Sequence, residues 1–188
     1  TRVTGKLLKH YSITTKMKLY DAHSSVKIQE ETCADLASGK QIALCSDAGT
    51  PGISDPGVHL VNQILEKKLD VKVVRVPGAS SFTAAFSIAG IVGNQFSFLG
   101  FIPQKKGRKT FFEQLQHAST PTMFLESTHR IMKTFQSLAE YCPKKQIVVA
   151  REMTKMHEEV VRGNAEEIVA YFTEHTDHQK GEFVVIVG

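Results

Sequence analysis

Apolar positions change rhythm along the chain, and the changes divide it into helices and strands. Leu7, Leu8, Tyr11 and Ile13 mark the end of a first helix, and residues 17–20 read as a short extended segment. Over 26–37, Ile28, Cys33 and Leu36 recur at helical spacing behind Ser24 or Ser25, either of which suits a cap. The run 41–45 (QIALC) reads as a strand, 46–57 (SDAGTPGISDPG) as a glycine-rich turn, and 58–66 as a helix that buries Leu60, Val61, Ile64 and Leu65. Residues 71–76 (VKVVRV) are rich in β-branched side chains and strand-like, and they run through 77–81 (PGASS) into a small-residue helix ending near Ile88. Two successive strand–turn–helix units predict a mostly parallel, doubly wound sheet whose two turns share one crevice.

Residues 96–102 are apolar and end at 103–109 (PQKKGRK), a charged hinge. A domain boundary is expected near it, giving an N-terminal α/β domain over 1–98 and a C-terminal α+β domain with a mixed sheet over 99–188. Beyond the hinge the pattern predicts helices over 110–117, 130–141 and 165–173. It predicts strands over 122–125, 146–150 and 182–187, with Val160 and Val161 adding a short one.

The 188 residues, 41% hydrophobic, suffice for a globular chain of one generous or two small domains, and the net charge of +4 permits contact with an anionic polymer without demanding it. Cys33, Cys45 and Cys142 are odd in number and far apart, which fits reduced thiols, and no Cys/His cluster has zinc spacing, so no metal is expected. No apolar run is long enough to span a bilayer, and an intracellular, cytoplasmic setting is the expectation.

The glycine turn is the first candidate for chemistry. Gly49, Gly52, Gly57, Pro51 and Pro56 suit a rigid turn that brings bare backbone close to a ligand, while Asp47 and Asp55 suit hydroxyl donors or a cation. Neither the phosphate-loop nor the dinucleotide glycine spacing is present. A turn of this kind also serves simply to join strand to helix, and the pattern alone leaves both readings open. Two polar clusters follow strands in the second half: 126–130 (ESTHR) and 151–159 (REMTKMHEE). They read either as converging walls of a pocket or as a capped helix, with Arg130 paired to Glu126, and a solvated acidic face.

Five segments in order, SDAGTPGISDPG, VPGASS, GFIPQK, ESTHR and AREMTKMHEEVVRG, resemble the RsmI branch of the tetrapyrrole methylase superfamily, which contains small-subunit rRNA (cytidine-2′-O)-methyltransferases. The resemblance implies a two-domain α/β fold, S-adenosylmethionine as methyl donor, a homodimer, and a cytidine ribose of small-subunit rRNA, free or in the assembled subunit, as acceptor. By position it places Ala48, Gly49, Thr50 and Ile53 in the first cofactor turn, Ser80 and Ser81 in the second, and Glu126, Met153 and Thr154 on the adenosyl side. It also implies that the chain begins after a first strand, helix and T-P-I-G-N-L-type turn, consistent with an opening on Thr1 rather than Met. Where the family tends to show Y-H-E-H-N, the chain has Tyr20-Asp21-Ala22-His23-Ser24, in which His23 is retained while the preceding His and Glu positions differ.

Methyl transfer to a ribose hydroxyl needs alignment and a group that removes or stabilises a proton. Glu126, His129, Lys155 and Glu158 are the polar set expected to supply it, with Lys105, Lys106, Arg108 and Lys109 as phosphate contacts or, equally, a solvated hinge. Two other functions remain open: methylation of a small tetrapyrrole-like molecule, and an inactive module that binds cofactor, RNA or a partner.

Overall fold

A computed structural model describes residues 2–21 and 24–188; His23 lies outside the described residues. The chain divides into two compact units, 1–79 and 80–188, each described by itself. The expected boundary fell later, at 98/99. Helix α4 (Ser81–Ser87) accounts for the difference, because its Ala85, with Ala89 just beyond it, packs on the sheet of the second unit.

The first unit contains α1 (Arg2–His10), α2 (Val26–Ala37) and α3 (Gly57–Glu66). The Ser25 hydroxyl caps α2 by accepting from the Ile28 amide. A small core joins α2 to α3 through Cys33, Leu60 and Ile64. Asp35 binds Lys18 at 2.8 Å and Lys40 at 2.6 Å, and hydrogen bonds from these ammonium groups hold its pKa down to about 2. Residues 41–45 and 71–76, expected as strands, form no ladder, and Ile42, Val73, Val74 and Val76 are exposed. A β-branched run expresses a preference for extended backbone, but a ladder exists only where a neighbouring strand supplies partners.

The second unit is built on a mixed five-stranded sheet of order β1-β2-β5-β3-β4, with β1 (Ser97–Phe101), β2 (Thr122–Ser127), β3 (Ile147–Arg151), β4 (Glu159–Gly163) and β5 (Glu182–Val187). Only β1 and β2 pair in parallel, through the crossover helix α5 (Arg108–His117); the other three pairings are antiparallel. Alternation along the central strands sorts the core into two layers. Phe124, Ile147, Val149, Phe183, Val185 and Val187 face α5, α6 (Ile131–Tyr141) and α7 (Ala165–Glu174), while Met123, Val148, Ala150, Val184 and Ile186 face α4. β5 lies in the middle and is buried on both faces, hence its unbroken FVVIV.

Helix α7 begins with a capping box in which Asn164 and Glu167 each accept the other's backbone N–H, and Phe172 tilts against Phe135 of α6 with ring centres 4.8 Å apart. Arg162 of β4 reaches across to the carbonyls of Ile88 and Ala89, closing the C-terminal end of α4.

Candidate functional site

In the first unit the glycine turn folds onto the segment 77–79. Thr50 donates both its amide (2.9 Å) and its hydroxyl (3.1 Å) to the Ala79 carbonyl, and Gly49, at φ +72°, passes so close that a Cβ there would stand 3.3 Å from the same oxygen. Thus the two turns expected to share a crevice do meet, and the bare backbone at Gly49 serves that meeting. Ala48 and Ile53 remain exposed beside it. Asp55, a candidate ligand acid, instead closes the turn: its Oδ1 accepts from the amides of Gly52 and Gly57, each at 2.8 Å.

Ser80 and Ser81 open α4 in the second unit. The Ser80 hydroxyl is buried and has no hydrogen-bond partner among the described residues, a polar atom left for a ligand to satisfy.

Glu126 departs most from expectation. Its place on β2 follows from parity: two residues after Phe124, its side chain enters the layer covered by α5 and α6 and is fully buried. Arg130 Nη2 lies 2.6 Å from Oε1, Thr134 Oγ donates to Oε2 at 2.8 Å, and Arg108 Nη1 stands 3.6 Å from Oε2. A carboxylate so enclosed is not placed to touch a cofactor or take a proton from a substrate. It orders two guanidiniums, the pairing with Arg130 that the alternative reading expected. Arg108 is correspondingly withdrawn from the phosphate-contact set: it is buried, donates to Thr134 at 2.8 Å, and lies over the Phe112 ring. Burial pushes its pKa below the usual arginine value, partly offset by Glu126. Lys109 pairs with Glu113, while Lys105 and Lys106 are exposed.

The clusters 126–130 and 151–159 converge, because both are fastened to residues 180–182, where β5 begins. Thr128 and Gly181 exchange hydrogen bonds, the Thr128 hydroxyl donating to the Gly181 carbonyl and accepting from its amide, each at 2.9 Å. Glu152 accepts from the Glu182 amide at 2.8 Å, and Arg151 Nε donates to the Lys180 carbonyl. Thr128, Gly181 and Glu182 were missed by sequence reasoning; a glycine directly before the last strand was the available signal.

Lys155 bridges Glu152 at 3.0 Å and Glu182 at 2.9 Å. Burial lowers its pKa, but these hydrogen bonds outweigh that and hold it above the usual lysine value, so it is a fixed cation rather than a base. Glu158 Oε2 accepts from the Thr154 amide at 2.6 Å and shapes the loop; the Met153 side chain lies in the core. Glu152 (φ 49°) and Thr154 (φ 65°) are left-handed without being glycine, a costly backbone in this β3–β4 connection. Of the expected polar set, His129 lines a cavity. It opens at the carboxyl ends of β1 and β2, measures about 510 Å³, and is lined by Phe101, Ile102, Gln104, Ser127, His129 and Arg130.

The family pattern of tetrapyrrole (corrin/porphyrin) methylases matches residues 5–169. The chain belongs to the tetrapyrrole methylase family. Within it, the chain is 39% identical to ribosomal RNA small subunit methyltransferase I of Synechocystis sp. over 189 aligned residues, covering 100% of the chain and 66% of that protein. It is also 39% identical to the protein of that name from Vibrio cholerae, over 100% of the chain and 65% of the relative. The chain therefore spans about two thirds of the length of these curated relatives.

The fold agrees with the family. A crystal structure of the methyltransferase CobJ superposes with a TM-score of 0.64 at 18% identity, covering 100% of the chain and 86% of that structure. Uroporphyrin-III C-methyl transferase from Thermus thermophilus, solved with S-adenyl homocysteine, gives 0.59 at 16% identity, covering 96% and 80%. For this tetrapyrrole methylase chain, the α/β fold class and the mixed C-terminal sheet expected from sequence are borne out.

Proposed function

We propose that this chain forms part of an S-adenosylmethionine-dependent methyltransferase that modifies the ribose 2′-OH of a cytidine in small-subunit rRNA. The observation that carries the reading is the 39% identity, along the whole chain, to relatives named for rRNA small subunit methylation. S-adenosylmethionine, when bound, supplies an electrophilic methyl group on a sulfonium. Each unit offers groups suited to it: in the first, Ala48, Gly49, Thr50 and Ile53 form a rigid, partly apolar turn, and in the second, Ser80 has a buried hydroxyl with no hydrogen-bond partner among the described residues. Ser81, Met153 and Thr154 complete the proposed cofactor set through backbone and hydroxyl groups, since the Met153 side chain is in the core. Glu126 enters only indirectly, by ordering Arg130.

On the acceptor side, His129 is an exposed member of the expected polar set, and Lys155 and Glu158 fix the 151–159 loop by their ties to Glu182 and Thr154. Lys105 and Lys106 are free to meet phosphates. The same reading carries a homodimer in the cytoplasm acting on rRNA or the assembled small subunit. Leu99, exposed on edge strand β1, supports a partner surface, and no described helix is long and apolar enough to cross a membrane.

Transfer of labelled methyl from S-adenosylmethionine to small ribosomal subunits, followed by nucleoside mass spectrometry, tests the proposal. Appearance of 2′-O-methylcytidine is the expected result. Methylation of porphyrin precursors with no labelling of rRNA supports the tetrapyrrole reading instead, and sedimentation equilibrium tests the dimer.

A further inference from the structure

The pocket at the ends of β1 and β2 has a chemistry of its own. No carboxylate lines it, and its walls are one half-exposed ring (Phe101), an amide (Gln104), a hydroxyl (Ser127), an imidazole (His129) and a guanidinium (Arg130). Beneath it, one carboxylate, Glu126, faces two guanidiniums, Arg108 and Arg130, so the cluster retains a positive charge. Arg130 is held in place before any ligand arrives: Nε donates to Ser127 Oγ at 3.2 Å, Nη1 to the Ile102 carbonyl at 3.1 Å, and Nη2 meets Glu126. These contacts occupy three of the five N–H groups of a guanidinium. Such a wall favours an anion and disfavours a sulfonium.

A bare anion would not use Phe101 or the two-sided hydrogen-bonding edge of Gln104. The ligand that uses all of them has a phosphate, a flat heteroaromatic ring and donors and acceptors on the ring edge, and about 510 Å³ is within the usual range of roughly 300–1,000 Å³ for a small-ligand site. Exposed Lys105 and Lys106, on the loop that leaves Ile102 and Gln104, extend the positive charge beyond the pocket mouth, as a polyanion requires. We propose that this pocket holds one nucleotide of single-stranded RNA, with its phosphate at Arg130 and His129 and its base against Phe101 and Gln104. The proposal rests on the rRNA reading above for its polymer, and names a substrate subsite within it.

Titration of the chain with cytidine 5′-monophosphate, cytidine, inorganic phosphate and a four-residue oligocytidylate, followed by calorimetry and the His129 imidazole resonances, tests it. The monophosphate should bind and shift His129, while phosphate and cytidine each bind at least fivefold more weakly, and the oligonucleotide more tightly with a steeper salt dependence. Phe101→Ala and Gln104→Ala, both at exposed positions, should weaken the monophosphate at least fivefold and leave phosphate unchanged; His129→Ala should weaken both. Equal affinity for phosphate and monophosphate, or binding insensitive to all three substitutions, overturns the nucleotide site, and an oligonucleotide no tighter than the monophosphate overturns the RNA. S-adenosylmethionine binding in the same samples separates the two readings. Monophosphate bound without the methyl donor removes the methyltransferase and leaves the pocket, whereas the methyl donor bound without monophosphate removes the pocket alone.

Discussion

Glu126 and Arg130 form an ion pair of 2.6 Å across one turn, with the carboxylate fully buried and the guanidinium on a pocket wall. Removing the acid would strand Arg108 and Arg130 in a site designed around it. Glu126→Ala should therefore cost about 3–5 kcal/mol, the usual penalty for breaking a buried pair. Thr134→Val, which takes away the hydroxyl joining Glu126 to Arg108, should cost about 1–3 kcal/mol. Denaturant unfolding measures both. A stable Glu126→Ala protein that has lost only activity would instead restore the acid as a catalytic group.

Gly163, immediately before the Asn164 cap of α7, touches the capping box itself. A Cβ there would fall 2.6 Å from Glu167 Oε2 and 3.0 Å from Glu167 Cβ. Gly163→Ala should displace Glu167 and cost about 0.5–2 kcal/mol, the range for a lost cap. Glu167→Ala in the Gly163→Ala background should add little, because the side chain has already been expelled; a double-mutant cycle reads the coupling.

Helices and most strands of the second unit were legible because each carries its own pattern: β5 and the start of α7 coincide with the sequence reading, and α6 starts one residue later. The burial of Glu126 was only half legible. Arg130 lies four residues away, but Arg108 and Thr134 come from two different helices and their approach depends on packing. The same holds for Asp55, whose turn-closing role depends on how the chain doubles back to Gly52 and Gly57. The segments 41–45 and 71–76 show the converse, a local strand preference without a partner.

Acid should loosen the second unit through Glu152 and Glu159. Burial raises both pKa values, but in each the opposing bonds prevail: the Glu182 amide and Lys155 for Glu152, and Tyr171, His178 and Arg151 for Glu159. Both end below the usual glutamate value. A depressed folded-state pKa contributes stability that is present in full above the unfolded value, about 4.3, and is lost as pH falls through the folded value. Thermal unfolding between pH 7 and pH 3 should show a decline below about pH 4.3 that is shallower in Glu159→Gln.

Lys105 and Lys106 should differ from their basic neighbours in RNA binding, because both are exposed and neither joins an ion pair among the described residues, whereas Arg108 is buried and Lys109 pairs with Glu113. Each lysine that neutralises a phosphate of a single strand contributes about 0.7 to the slope of log affinity against log salt. Lys105→Ala and Lys106→Ala should each lower that slope by about this amount and weaken binding without changing sequence preference. Lys109→Ala should lower it less, since its charge is already engaged by Glu113 at 3.6 Å. Filter binding to small-subunit rRNA across a salt series checks the order, and equal slopes for all three variants would place the phosphate contacts elsewhere.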